Sequence, residues 1–240
     1  MTTLPTRRDE AFRYADLPAL AAVWPVETEA ITVPAGGAEA RALVLDGAAV
    51  RDFAITLGAG ARFAFHCVNA PRGYGRIALR VTLGRGAEFI FGAAQVAGGA
   101  QTVEIVTEVI HAEPDATSRQ TVRQVLAGQA TGNYLGRVVV QRGANGTDGE
   151  QSIRAMLLGR GATANARPEL EIFADDVKCA HGCAVGELDK QALFYMASRG
   201  LPPATAKALM LQAYLAEAFS GAAEADMLSA AALAALEPLL

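Results

Sequence analysis

The sequence predicts a mainly β protein, in which a β-solenoid is followed by an α-helical C-terminal domain. Three observations support this fold class. Between residues 31 and 186, apolar side chains recur at every second position, as they do in half-buried strands. Glycine-rich turns separate these strands, and helical patterns are nearly absent among them. The last 40 residues hold 14 of the 51 alanines of the chain and one glycine, a composition that favours helices.

The N-terminal residues are predicted to form a short helical segment. Phe12, Leu17 and Leu20 follow a charged opening at a spacing that fits one face of a helix. After this segment the apolar period changes to two. The predicted domains are an N-terminal helical segment at 1–30, a β-helix core at 31–186 and a C-terminal helical domain at 187–240.

A repeat with an offset of 26 residues divides the β region. The run Thr56-Leu-Gly-Ala-Gly-Ala-Arg-Phe63 is matched by Thr82-Leu-Gly-Arg-Gly-Ala-Glu-Phe89, and weaker copies follow. A strand–turn unit that returns at roughly this interval without helices is typical of coils stacked into a solenoid. The repeats alone also fit a sandwich or meander with glycine-rich hairpins. A left-handed hexapeptide helix is disfavoured, because no six-residue aliphatic period appears.

The C-terminal domain is predicted to contain three helices. The first ends at Gly200, since glycine readily adopts the left-handed conformation that follows a helix. Pro202 and Pro203 open the second, which is broken at Gly221. The third spans residues 222–236.

The composition excludes several classes of function. With 52% hydrophobic and 19% charged residues among 240, the chain can bury a sizeable core. A net charge of −4 offers no basic field to a phosphate backbone, so we expect no nucleic-acid partner. No segment reaches the roughly 18–20 uninterrupted apolar residues that span a bilayer, so we expect no membrane partner.

The cysteines and the first residues bear on the compartment. The two arginines near the start are not followed by an apolar stretch, which predicts that the chain has no signal peptide. Three cysteines are an odd number, and without an export signal they indicate reduced thiols. We therefore expect a cytoplasmic protein.

The common nucleotide-binding and hydrolase motifs are missing. None of the three lysines follows a glycine, so the chain has no P-loop and no ATP site of its own. No Gly-x-Ser-x-Gly elbow and no dinucleotide fingerprint are present. Two of the three histidines, His66 and His111, lie in strand-like surroundings, and we interpret both as structural or surface residues.

One short segment concentrates metal-ligating residue types. Cys179, His181 and Cys183 fall at i, i+2 and i+4, so they share one face if the segment is extended. Thiolate and imidazole are ligands that soft or borderline metals and iron–sulfur clusters select. The alternative is that this face is simply core, with cysteine acting as a small hydrophobic residue. Because one straight strand cannot wrap a tetrahedral ion, a second chain would have to supply ligands.

The same region carries a resemblance to a known family. The run Pro168-Glu-Leu-Glu-Ile-Phe-Ala-Asp-Asp-Val-Lys-Cys-Ala-His-Gly182 resembles the SufB/SufD family of the SUF iron–sulfur cluster assembly system, and in particular its SufD branch. The similarity continues through Val185-Gly-Glu-Leu-Asp189 to Gly200, and it is more diffuse in the repeats. The N-terminal run Pro5-Thr-Arg-Arg-Asp-Glu-Ala-Phe-Arg-Tyr-Ala-Asp-Leu17 is also similar, with Phe12 where the family usually has tryptophan.

The resemblance implies a fold, partners and a role. The fold is a right-handed parallel β-helix flanked by helical segments. The role is that of a non-catalytic scaffold subunit, which forms a heterodimer with SufB through the C-terminal end of the β-helix. The C-terminal helices would dock the ATPase SufC, which would hydrolyse ATP in place of this chain.

The resemblance also implies site residues. In SufD-like proteins the histidine of the Cys-x-His-Gly run lies at the SufB interface and is implicated in building the nascent cluster, and this role carries over to His181. Cys179 matches the neighbouring cysteine of the family. Cys183 replaces a residue that is usually small there, so it is a weaker candidate. We expect iron or a transient iron–sulfur cluster, shared with SufB, at His181 and Cys179.

The sequence also allows two other functions. One is a β-helix enzyme that acts on polysaccharides, which needs paired carboxylates or basic residues along a groove. The other is a purely structural adaptor whose Cys-x-His-x-Cys segment is core. Self-pairing as a homodimer also stays open, because a solenoid end with unpaired strand edges tends to pair. The sequence shows no recognisable flavin-binding motif.

Overall fold

The structure, a computed structural model, describes residues 3–240 and contains a parallel β-solenoid followed by helices. Within these residues there are twelve strands. They are β1 Thr28–Val33, β2 Ala38–Leu45, β3 Ala49–Leu57, β4 Arg62–Asn69, β5 Tyr74–Leu83, β6 Glu88–Ala97, β7 Thr102–His111, β8 Thr117–Leu126, β9 Thr131–Val140, β10 Asp148–Leu157, β11 Thr163–Ile172 and β12 Lys178–Gly186. The predicted mainly β, solenoid fold class is confirmed.

The strands alternate between two sheets, so that each coil contributes one strand to each. Sheet A has the order β1-β3-β5-β7-β9-β11, and sheet B has the order β12-β10-β8-β6-β4-β2. All the strand pairs are parallel. A hairpin meander would need antiparallel neighbours, so the sandwich or meander alternative is wrong.

The 26-residue repeat is one coil of the solenoid. Thr56 pairs with Thr82 in sheet A, and Phe63 pairs with Phe89 in sheet B. The glycine-rich corner between them has the same conformation in both copies, with φ of 64° at Gly60 and 62° at Gly86. Residues that carry a side chain rarely adopt this left-handed backbone conformation, which explains why glycine recurs at the corner.

The core lies between the two sheets, and its N-terminal part is aromatic. Phe53, Phe63, Phe65, Phe89 and Phe91 are all buried there. Their neighbouring ring centroids lie between 5.1 Å and 6.4 Å apart. Such stacks along equivalent positions of successive coils bury a large apolar area and hold the coils in register.

Helices flank the solenoid on its N-terminal and C-terminal sides. They are a 3₁₀ turn at Glu10–Phe12, α1 Leu17–Ala21, α2 Lys190–Ser198, α3 Pro203–Ala216, a 3₁₀ turn at Glu217–Phe219, α4 Ala225–Leu236 and a 3₁₀ turn at Glu237–Leu239. Gly200 follows α2 with a φ of 88°, the conformation that the sequence predicts at a helix C-terminus. In the part of the chain that the structure describes, no helix is long and apolar enough to cross a bilayer.

The last two helices pack on the outer face of sheet B. Leu211 and Leu215 of α3 and Leu228 of α4 share one buried cluster with Val68 and Val125 of the sheet. α2 contributes no buried residue. The division into domains at residues 30 and 186 stays a prediction.

Candidate functional site

The three predicted site residues lie on the last strand of the solenoid. β12 pairs with β10 on one side, and its other edge ends sheet B. Cys179 is in register with Gly149, His181 with Gln151, and Cys183 with Ile153. Because aligned residues of neighbouring strands point to the same face of a sheet, the two cysteines and the histidine face the same way as these three partners.

That face is the interior of the solenoid, continued to its open end. Gln151 and Ile153 are fully buried, because β12 covers them. No further coil covers β12 within residues 3–240, so His181 and Cys183 are exposed and Cys179 is half-buried. The inward-facing side chains of sheet B, which we call the interior column, therefore end on Cys179, His181 and Cys183. We call these three residues the end-strand triad.

The spacing of the end-strand triad limits what it can bind alone. Along a strand, the Cα atoms of alternate residues are roughly 6.6 Å apart, whereas two ligating atoms on one iron or zinc ion lie within about 4 Å of each other. Side chains at these positions would have to bend toward one another to share an ion. Within residues 3–240, no group of three or more histidine, cysteine, aspartate or glutamate side chains converges closely enough to hold a metal ion. The triad offers separate ligands along a line.

Both cysteines of the triad are in surroundings that favour the thiol. Partial burial raises the pKa of Cys179, against the opposing effect of a hydrogen bond with the Gly149 backbone, and the charge of Asp148 raises it further. Burial also raises the pKa of Cys183. Since metals bind the thiolate, binding at either cysteine would release a proton.

The other two histidines lie away from the triad and are buried. His66 packs against the segment after α3, and burial lowers its pKa against the opposing effect of the Ser220 backbone. His111 lies inside the solenoid, with its Nε2 at 2.9 Å from Ser118 Oγ. Buried, protein-bonded imidazoles of this kind are structural groups.

A group of buried polar side chains lies directly beneath the triad, and the sequence reasoning above does not identify it. Its members line the interior in β7, β8, β9 and β10, where an apolar core is expected. We call it the polar column, and it comprises Thr107, Gln120, Tyr134 and Gln151. The available signal was the two glutamines at 120 and 151, but seeing that they align requires the register between β8 and β10.

The family follows from comparison with known proteins. A family model described as "SUF system FeS cluster assembly, SufBD core domain" matches residues 46–214, which extend from just before β3 into α3. The chain belongs to the SufBD family. The resemblance found in the sequence is thereby confirmed, and the matched region includes the end-strand triad.

Individual SufBD relatives point to the SufD type. The chain is 35% identical over 107 residues to the iron–sulfur cluster assembly protein SufD of Escherichia coli, covering 45% of this chain and 25% of that protein. It is 31% identical over 121 residues to SufD of Bacillus subtilis, covering 50% and 28%. Protein ABCI7 of Arabidopsis thaliana chloroplasts is 38% identical over 120 residues, covering 49% and 25%. The match thus spans between 25% and 28% of the length of these relatives.

Proposed function

We propose that the chain is a non-catalytic scaffold subunit of the SUF iron–sulfur cluster assembly complex. It pairs with a SufB subunit through the open end of the solenoid and docks the ATPase SufC on its C-terminal helices. His181, together with Cys179, helps to bind iron or the nascent cluster at the junction with SufB. The cluster is cargo that is built and passed on, and Cys183 is a weaker third ligand.

The observation that carries the proposal is the position of the end-strand triad. Its thiols and imidazole lie on an edge strand whose outer side has no partner in residues 3–240. An unpaired edge is a template for pairing with another chain. A partner strand placed there would bring its own side chains close to His181 and could complete the set of ligands that a line of single residues cannot form.

Two ion-paired glutamates on the sheets support a scaffold over a polysaccharide enzyme. Glu108 lies between Arg80 and Arg137, and Glu29 lies between Arg41 and Arg51. These arginines lower the pKa of both glutamates. A general acid needs a raised pKa instead, so these groups are suited to holding successive coils together.

One observation favours a second function, a purely structural adaptor. Cys179 packs against the main apolar cluster of the solenoid, as a small core residue would. In this case SufB and SufC would still bind, but the end-strand triad would contribute no ligand.

Substitution of His181 separates the two functions. We expect that His181→Ala, co-expressed with SufB and SufC and purified without oxygen, keeps all subunits in the complex and lowers bound iron and sulfide at least about tenfold. The physical reason is the loss of a ligand from an exposed position that carries no packing. Lys178→Ala, on the opposite face of β12, is the matched control and should retain full iron and sulfide content. Full cluster content in the His181→Ala complex would refute the role of His181 and favour the adaptor.

A further inference from the structure

The interior column that ends at His181 changes from aromatic to polar along the solenoid. Successive strands of sheet B place Phe65, Phe91, Gln120, Gln151 and His181 in register at one inward position. Gln120 is 1% exposed and Gln151 is 0% exposed. A buried amide without full hydrogen bonding is destabilising, so two successive glutamines in a solenoid core require an explanation.

The two glutamines meet a tyrosine from the opposite sheet. Tyr134 Oη lies 3.3 Å from Gln120 Oε1 and 3.5 Å from Gln151 Oε1. Thr107 Oγ1 lies 2.7 Å from Gln120 Oε1, to which it donates. Among the residues that the structure describes, neither Gln120 Nε2 nor Gln151 Nε2 has a hydrogen-bond partner.

The chain makes room for this contact at one glycine. A Cβ atom at Gly136 would lie 2.1 Å from Tyr134 Oη and 2.4 Å from Cζ of the same ring. Any side chain at 136 would therefore push the hydroxyl away from the glutamines. The polar column thus depends on Tyr134 and Gly136 together, which indicates a built arrangement.

Counting protons shows how the contact between Tyr134 and Gln151 can be satisfied. Tyr134 has one hydroxyl proton but faces two amide oxygens, so it can donate to only one of them. Rotation of the Gln151 amide by 180° about its last torsion exchanges its oxygen and nitrogen in place. Gln151 Nε2 then donates to Tyr134 Oη, Tyr134 donates to Gln120 Oε1, and Gln151 Oε1 is turned away from Tyr134.

We propose that Gln151 is a positioning residue for His181: when the exposed imidazole turns toward β10, its ring N–H donates to the Oε1 of the rotated Gln151 amide. The two residues occupy adjacent rungs, roughly 4.8 Å apart along the sheet. A ring nitrogen that donates to Gln151 fixes the tautomer, and the other nitrogen then presents its lone pair at the open end. Histidines that bind metals are usually oriented in this way by an acceptor behind them. The inference rests on the proposed function, because it assigns Gln151 to the proposed iron ligand.

The tautomer can be measured in the full chain without iron. The protein has three histidines, so ¹⁵N-histidine labelling gives three resolvable ring patterns. At a pH above the range in which histidine titrates, we expect wild-type His181 to show one dominant tautomer. Gln151→Met removes the acceptor, so the ¹⁵N pattern of His181 should shift to the average over both tautomers that a free imidazole shows. Gln151→Glu keeps an acceptor oxygen and should restore the single tautomer.

A matched control separates positioning from general loosening of the core. Gln124 is also buried in β8, but its Nε2 bonds Gln95 Oε1 at 2.6 Å, away from the column. Gln124→Met should therefore leave the His181 pattern unchanged. The inference is overturned if wild-type His181 already shows the averaged pattern, if Gln151→Met retains the single tautomer, or if Gln124→Met has the same effect as Gln151→Met.

A second measurement separates this inference from the proposed function. In the complex reconstituted with SufB and SufC, Gln151→Met should weaken Fe²⁺ binding roughly 10- to 100-fold, as the loss of a group orienting a metal-binding histidine does. Unchanged Fe²⁺ binding by Gln151→Met, alongside its loss in His181→Ala, would refute the positioning role alone. Unchanged binding by His181→Ala would refute the proposed function, whatever the tautomer of the iron-free chain.

Discussion

His111 lies inside the solenoid, where burial favours its neutral form. Burial lowers its pKa to about 4, against the opposing effects of the Ala116 backbone and the charge of Asp148. Its Nε2 is paired with Ser118 Oγ, and its Nδ1 has no partner among the described residues. A second proton on this ring would have to be accommodated next to apolar neighbours, and unfolding relieves that cost.

This burial makes the stability of the chain depend on pH. The pKa of His111 is lower in the folded state than the ordinary value of 6.5, so the unfolded chain binds the extra proton first as pH falls. The contribution is fully present above about pH 6.5 and is lost as pH falls toward about 4. Between about pH 7.5 and about pH 5, we expect the titration of His111 to lower the free energy of unfolding of the wild type by about 2 kcal/mol.

Urea denaturation of the wild type and of His111→Gln at the two pH values measures this cost. The variant should lose about 2 kcal/mol less, since glutamine can hydrogen-bond Ser118 without titrating. His66 and the carboxylates are present in both proteins, so their contributions cancel in the difference. Equal losses in the two proteins would show that His111 does not carry the effect.

Single residues also show where sequence reasoning stops. The period of two is enough to place Cys179, His181 and Cys183 on one face, because side-chain direction alternates along any strand. It does not place Gln151 beside His181, because that neighbour is set by the length of a coil. Paired positions are 24 residues apart at Thr28 and Asp52 but 32 apart at Thr131 and Thr163. The longer coil has longer strands, with 10 residues in each of β9 and β10 against 6 in β1 and 8 in β2, and its corners are longer too. The register of one coil therefore does not predict that of the next.

At the scale of elements, α2 is the least buried helix of the C-terminal region. It contains no buried residue, and Phe194 and Tyr195 are 76% and 58% exposed. The Arg199 guanidinium lies 5.3 Å from the Tyr195 ring centroid. Adjacent exposed aromatic side chains are typical of protein–protein contacts. Helix composition predicts these helices from the sequence, but it does not predict that α3 and α4 pack on sheet B while α2 is left exposed.

We expect the double substitution Phe194→Ala and Tyr195→Ala to weaken SufC binding roughly 100-fold or more, because two aromatic anchors would be lost. Titration calorimetry of the full chain with purified SufC measures this change. Phe173→Ala removes a similarly exposed aromatic side chain between β11 and β12 and should leave SufC affinity unchanged. Unchanged SufC affinity in the double variant would exclude α2 as the docking helix.

At the scale of the whole molecule, the two ends of the solenoid have different roles in the proposal. The C-terminal end presents the edge strands β11 and β12, together with exposed apolar side chains at Ile172, Phe173 and Val185. Apolar groups next to unpaired strand edges favour association, because pairing satisfies the backbone while it buries the side chains. The SufB heterodimer and the homodimer of this chain would use this same end.

A buried charge at that end tests the shared surface. Val185 is in register with Ala155, which is buried, so it faces the interior column and would lie in the middle of an interface built on β12. We expect Val185→Lys to weaken pairing with SufB roughly 100-fold or more, because an unpaired ammonium would lose its hydration there. Thr32→Lys adds the same charge to the edge strand β1 at the opposite end and should leave pairing unchanged.

Analytical ultracentrifugation of each variant, alone and with SufB, measures both associations at once. If self-association also uses the open end, Val185→Lys alone should sediment as a monomer where the wild type sediments as a dimer. Retained SufB pairing in Val185→Lys, or its loss in Thr32→Lys, would place the partner on another surface and leave the end-strand triad without a second source of ligands.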